Sequence, residues 1–358
     1  MSNTKCFKIH ISNKHEECVI QIKAHNDTIK EATSAVYLGD IINEEGSLDD
    51  TIKARGDKSI GKISQVMSIL SGVSLGMFHM DIALTLRESM FINGVLTNSE
   101  TWYNMKEEHF KILEMKDNEL MRKVFNAHSK TACELFWLES GKISIRYMVS
   151  KRRLMYLWTI LKQKDDQLIR KTYNAQQLKT TKGDWYEMVQ GEKRKFSINL
   201  TDQEISKISR YKFKKIVDKN VGSYAFESLK VKASTHSKSS DILAGLETQL
   251  VGKRKAYLKE NTLTRDDCHL LFKLRSRMLD VKVNFSNQFD KSVTCRTCKK
   301  VGSIEDEDHL LQCESLKSEN PNSEVKFNDV YKDLKKQIMA LGVFKAILRK
   351  REILLKYQ

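Results

Sequence analysis

Two periodicities divide the chain. Up to about residue 42, apolar positions alternate with polar ones: Phe7, Ile9 and Ile11, then Cys18, Ile20 and Ile22, then Val36, Leu38 and Ile41, with a turn offered at Asn26-Asp27. Alternation of period two marks half-buried strands, so a small N-terminal antiparallel β element is expected. Beyond it, apolar residues recur every three or four positions in long runs, which predicts a mainly α chain.

The change of period falls at Asn43-Glu44-Glu45-Gly46-Ser47. Gly46 suits a turn, and Ser47 is placed to cap a helix, with Asp50 reaching back as in a capping box. That helix carries Ile52, Ile60, Ile63, Met67 and Leu70 on one face and Arg55, Lys58 and Lys62 on another. The second stripe reads either as a solvated basic face or as a track for a phosphate backbone.

Further helices are predicted over Met80–Thr97, Glu107–Phe125, Cys133–Glu139 and Ile145–Lys162. The last has Lys151, Arg152 and Arg153 as a cationic collar before a stretch that is apolar nearly all round. Residues 179–290 are lysine-rich with sparse apolar anchors, and Ser234 to Ser240 reads as a linker. Thr264 with Asp267 caps a helix bearing Leu270, Leu271, Leu274 and Met278. The tail from Asn328 to Leu355 is amphipathic, with Val330, Leu334, Ile338 and Leu341 on one face. It can dock on the body, bind a partner helix or touch nucleic acid.

Charge then narrows the choice of partner. The 358 residues hold 62 Lys and Arg against 46 Asp and Glu, a formal charge of +16. Such an excess attracts phosphate backbones or anionic lipid, and nucleic acid is the better fit. No run is long and apolar enough for a membrane span, and seven unevenly spaced cysteines point to an intracellular, reducing setting in nucleus or cytoplasm.

The chemistry-bearing cluster is Cys295-Arg296-Thr297-Cys298 followed by His309 and Cys313. Three thiolates and one imidazole form the ligand set of a closed, tetrahedral structural Zn²⁺ site. The Cys-x-x-Cys pair fits a knuckle turn, and His309 and Cys313, four apart, share one face of a helix whose first turn would be Glu305 to Asp308. A redox pair or unrelated buried thiols are the competing readings. Redox folds set the motif at a helix start after a strand, which Lys291-Ser292-Val293-Thr294 does not clearly supply.

No catalytic residue is assigned. Polymerase-type chemistry needs carboxylates that hold two divalent metals. The acid pairs Asp49-Asp50, Asp165-Asp166 and Asp266-Asp267 each stand where a helix begins, where capping explains them, so no catalytic Mg²⁺ site is expected.

Several segments in order resemble the reverse transcriptases of non-LTR retrotransposons. They are Asn3-Thr4-Lys5, Tyr37-Leu38-Gly39, the Leu86 to Leu96 helix with Ser99-Glu100-Thr101-Trp102-Tyr103, Ile145-Arg146 with Arg152-Arg153-Leu154 and Tyr156-Leu157-Trp158, and the Cys-His cluster. The resemblance implies residual palm strands over 1–46, a helical thumb and connection over 47–178, a basic helical extension over 179–290, a zinc-binding module over 291–318 and a C-terminal amphipathic helix over 319–358. It further implies a chain that begins just downstream of a polymerase active site, since neither the Tyr-x-Asp-Asp hairpin nor the upstream palm acid is present. The expected function is to grip a template-primer duplex of RNA and/or DNA through Arg55, Lys58, Lys62, Lys151, Arg152 and Arg153, in partnership with the upstream polymerase portion. The alternatives are a domesticated zinc-containing protein-interaction scaffold, or a truncated part of a complete RNA-directed DNA polymerase.

Overall fold

The computed structural model describes residues 7–9, 23, 24, 27, 28, 30–72, 79–179, 182–236, 253–288 and 292–357. Its short strands are β1 (Phe7–Lys8), β2 (Lys23–Ala24), β3 (Asp27–Thr28), β4 (Lys30–Glu31), β5 (Ser34–Tyr37) and β6 (Asp40–Asn43). Its helices are α1 (Asp49–Gly72), α2 (His79–Leu86), α3 (Glu107–Val124), α4 (Glu134–Ser140), α5 (Ile145–Leu161), α6 (Leu168–Leu178), α7 (Trp185–Lys195), α8 (Asp202–Lys207), α9 (Arg210–Ser234), α10 (Arg265–Arg275), α11 (Glu307–Gln312) and α12 (Leu334–Lys356). The protein is thus mainly helical, with a small antiparallel hairpin near its N-terminus. One pairing departs from the expected antiparallel pattern, because β1 and β4 run parallel. The strand predicted through Cys18 to Ile22 and most of the predicted linker lie outside the described residues.

The described residues fall into two compact units, each built from three segments. The first takes the described parts of Met1–Gln65, Glu88–Asp117 and Ser144–Gly222, and the second those of Val66–Arg87, Asn118–Ile143 and Ser223–Gln358. Each unit therefore gathers segments that are distant in the sequence.

In the first unit, the β5–β6 hairpin closes over a two-residue loop in which both Leu38 and Gly39 have positive φ, 49° and 90°. That conformation matches the twist of the paired strands and suits glycine; a Cβ on Gly39 would also lie 3.2 Å from the Arg55 guanidinium. Thr51 ties the hairpin to α1, its hydroxyl accepting from Ile41 N at 2.8 Å and donating to Ile41 O at 3.1 Å. The start of α1 differs from a capping box. Ser47 Oγ accepts from Asp49 N, while Asp50 accepts from the Asn43 amide, whose own oxygen accepts from Ser47 N.

The predicted Met80 to Thr97 helix changes character midway, for α2 widens into a π-helical segment, Arg87–Ile92, before a last α turn at Asn93–Val95. Phe91 and Ile92 are buried there. Helix α5 is the backbone of the first unit. Its N-terminal amide at Ile145 donates to the fully buried Asp117, and Leu154, Leu157 and Ile160 are buried.

In the second unit Phe125, Phe136 and Phe272 form a ring cluster, with centroids 4.4 to 5.7 Å apart. Thr264 and Asp267 form the predicted capping box at α10. The tail is a helix that buries Gln337, Ala340, Leu341, Phe344, Ile347 and Arg351. The predicted face was set too early in the chain. Asp333 caps α12, so Val330 sits in a preceding 3-10 turn, and Ile338 falls on the solvent side at 38% exposure.

Candidate metal centre and the basic side chains

Residues 293–305 form a short hairpin, with Thr294 bridged to Ile304 and Cys295 N donating to Ser303 O at 2.9 Å. The Cys-x-x-Cys turn sits at its tip. Lys299 N closes it onto Cys295 O at 3.0 Å, and Lys299 takes the left-handed φ of 52° that such a reversal requires. Helix α11 follows. Its cap is Asp306, which accepts from His309 N at 2.7 Å, so the helix starts at Glu307, two residues later than expected, and Glu305 lies outside it. His309 projects from the first turn and Cys313 ends the helix.

The ligand atoms of Cys295, Cys298, His309 and Cys313 all lie within 4.8 Å of one another. A tetrahedral zinc ion sets sulfur atoms about 3.8 Å apart and sulfur and nitrogen about 3.5 Å apart, from metal bonds of roughly 2.3 and 2.0–2.1 Å. Cys295 Sγ and Cys313 Sγ are 3.9 Å apart, and Cys298 Sγ is 3.5 Å from His309 Nε2. The donor set and its spacing therefore fit a metal ion of the zinc type.

Two of the thiols, Cys298 and Cys313, differ sharply in acidity. Burial works to raise the Cys298 thiol, yet hydrogen bonds from Ser303, Lys300 N–H and His309 outweigh it and bring it down to about 6. Cys313 is pushed up to about 12 by burial and by the charge of its cysteine neighbours. A divalent cation bound here would displace the proton that Cys313 retains.

Behind the hairpin, Glu305 is fully buried and accepts from Arg296 N at 2.6 Å, from the Arg296 guanidinium at 2.6 Å and from Arg351 at 2.6 Å. Although burial would raise its carboxyl, the two arginines hold it below the usual range. Arg351 belongs to α12, so the same carboxylate fastens the Cys-x-x-Cys hairpin to the C-terminal helix. Orienting partners of this kind hold metal ligands in place.

The six basic residues expected to meet nucleic acid fare differently. Arg55 is 7% exposed and donates to Asp40 Oδ1 at 2.7 Å and to the carbonyls of Gly94 and Thr97. Arg153 is 1% exposed and is held by Glu192 and by Trp102 O at 2.9 Å. Neither guanidinium is presented to solvent, and both act as internal ties. Arg152 donates to Leu96 O and Asn93 Oδ1, and Lys151 pairs with Asp218. Lys62 is half-buried, with Nζ 3.3 Å from Gln65 Oε1. Lys58 alone of the six is exposed without a protein partner among the described residues. Helical spacing put Arg55, Lys58 and Lys62 on one stripe; where the β5–β6 hairpin lands on that stripe removes Arg55 from the surface.

A basic face that the spacing did reveal, but that the sequence reading passed over, is at the start of α9. Tyr211, Lys212, Lys215 and Lys219 are exposed there, opposite the buried Phe213, Val217 and Val221. Lys215 Nζ lies 4.5 Å from the Tyr211 ring centroid. The signal was the lysine repeat set against an apolar i, i+4, i+8 series.

Among the described residues, no helix is long and apolar enough to cross a membrane. Compared with models of known families, with curated proteins and with solved structures, the chain matches none.

Proposed function

We propose that this chain is the C-terminal portion of a non-LTR retrotransposon reverse transcriptase, an intracellular nucleic-acid-binding segment with no polymerase chemistry of its own. The ordered sequence resemblance supports the family. The observation that carries the binding activity is the exposed α9 face, where Lys212, Lys215 and Lys219 are exposed and Lys215 lies 4.5 Å from the ring of Tyr211, itself 66% exposed. Lysines neutralise phosphates, and an exposed aromatic ring among them offers a stacking surface to an unpaired base. Lys58 on α1 adds a further contact of the same kind. Backbone contacts of this type hold register without reading sequence.

Cys295, Cys298, His309 and Cys313 would hold the structural zinc. When bound, the ion supplies four coordination bonds that close the 293–305 hairpin on α11. The chain's own part is to set the ligands through Asp306 and Glu305.

The test is binding of a labelled RNA–DNA duplex and of a single strand across a salt series. Neutralising several phosphates gives a steep fall of log K with log salt, about 0.9 per phosphate on duplex DNA. The triple variant Lys212→Ala, Lys215→Ala, Lys219→Ala should weaken binding and flatten that slope. A response to salt that is flat in the unmodified protein overturns the reading.

One observation favours the scaffold alternative. Val36, Tyr37 and Leu38 of the hairpin are 71%, 63% and 73% exposed, beside a cavity of about 440 Å³ lined by Ile41, Ile42 and Trp102. Exposed apolar side chains of this size mark a protein partner, either the upstream polymerase portion or an unrelated protein. A salt-insensitive complex would support it.

A further inference from the structure

The second unit holds an open cavity of about 560 Å³. One wall is the segment from Lys253 to Lys259, and the other runs from Tyr331 to Gln337 at the start of α12. The lining is basic, with Lys253, Arg254, Lys255, Lys259 and Lys332 facing a single acid, Asp333. Asp333 is itself engaged as the α12 cap, accepting from Lys336 N at 3.0 Å.

Part of this charge is answered within the protein. Arg254 pairs with Asp81, Lys332 with Asp329, and Arg275 at the base of the cavity with Glu139. Lys253 and Lys259 are exposed and have no acidic partner among the described residues. Their wall is fixed in place. Lys255 N donates to Glu139 O at 3.0 Å, and Gly141, at φ 66°, leaves the room that the Lys253 carbonyl occupies, 2.6 Å from where a Cβ would be.

A second, independent feature is Gln337. It is 6% exposed, and its Nε2 donates to Lys332 O at 2.6 Å. Its Oε1, on the same side chain, has no hydrogen-bond partner among the described residues. Buried acceptors are almost always matched by a donor, and a fully deprotonated phosphate group cannot provide one.

We propose that this cavity binds a phosphorylated ligand that also carries a hydroxyl or amino donor, of the chemical class of nucleoside phosphates. The phosphate lies against Lys253 and Lys259, and the donor meets Gln337 Oε1. The volume is within the range of about 300–1,000 Å³ that small-molecule sites occupy. Two sources share this chemistry: a free nucleotide, and the phosphorylated end of a nucleic-acid strand. The site uses none of the residues on the α9 face, so it stands or falls separately from the reading of that face.

The experiment is titration calorimetry of the full, zinc-loaded chain with ATP, with a 5′-phosphorylated oligonucleotide, with the same oligonucleotide ending in a 5′ hydroxyl, and with inorganic phosphate. Saturable binding of ATP, tighter than that of inorganic phosphate, identifies a free nucleotide as ligand. Preference for the 5′-phosphorylated over the 5′-hydroxyl oligonucleotide identifies the strand end. In either case the double variant Lys253→Ala, Lys259→Ala should weaken binding by about tenfold or more, since charge-assisted contacts are lost, and Gln337→Leu by a similar factor. Lys253 and Lys259 are exposed, so the double variant remains decisive should Gln337→Leu lower the melting temperature. The proposal is overturned if neither ATP nor the 5′ phosphate is bound, or if the double lysine variant binds the preferred ligand as tightly as the unmodified chain.

Discussion

Arg275 and Glu139 form a two-pronged ion pair in the interior of the second unit, with Nε to Oε2 at 3.0 Å and Nη2 to Oε1 at 2.8 Å, their side chains 2% and 0% exposed. The guanidinium also donates to Val330 O, and Tyr331 OH donates to Arg275 O at 2.9 Å. The pair thus joins α4, α10 and the turn that leads into α12.

Removing one partner leaves the other charge buried and unanswered. Glu139→Leu and Arg275→Met should each destabilise the chain by about 3–5 kcal/mol, whereas the two changes combined should lose much less than the sum of the single losses. Denaturant unfolding of the three variants measures this. Additive losses would show that the two side chains do not act as a pair.

One zinc per chain is expected in freshly reduced protein, and Cys298→Ser should abolish it. Loss of the ion frees the 293–305 hairpin and, through Glu305 and Arg351, loosens α12. With roughly 2–4 °C per kcal/mol for a unit of this size, chelation should lower the melting temperature by ten degrees or so. Elemental analysis and a chelator melt check both parts, and a substoichiometric metal content contradicts the site.

Arg55→Met should separate stability from binding. The residue ties Asp40 to the carbonyls of Gly94 and Thr97, so its loss should destabilise the first unit by about 2–4 kcal/mol. The slope of log K against log salt should stay unchanged for the protein that remains folded, in contrast to the triple lysine variant of α9. A lowered slope would show that Arg55 reaches phosphate after all.

Asp49 should titrate unusually low. The hydrogen bond from His109, 2.5 Å away, leads the causes that bring its carboxyl from 3.8 to about 2, followed by Ser47 and Lys106. A depressed carboxyl contributes stability that is present above its unfolded value and lost as pH falls from near 4 to near 2. Asp49 is 56% exposed, so the solvent-screened effect on stability is small. Carboxyl chemical shifts from pH 5 to 1.5 give the midpoint, and His109→Gln should move it upward.

Much of the local structure was legible from residue order. The Thr264–Asp267 box, the helices Glu107–Val124 and Ile145–Leu161, and the grouping of Cys295, Cys298, His309 and Cys313 follow from capping chemistry, helical period and ligand spacing, all of which act over a few residues. The π segment at Arg87–Ile92 was not legible, because an extra residue in a turn leaves the hydrophobic repeat nearly intact.

What the sequence by itself determined is the mainly helical class, the excess of positive charge and the identity of the four soft ligands. Tertiary structure alone decided which charges remain available. Arg55, Arg153 and Arg275 look no different in sequence from Lys58 or Lys215, yet three are buried against carboxylates and two stay in solvent. The reason is physical. A helical repeat fixes the angle of a side chain around its own axis, but its partner comes from Asp40, Glu192 or Glu139, which only the packing of distant segments brings within 3 Å.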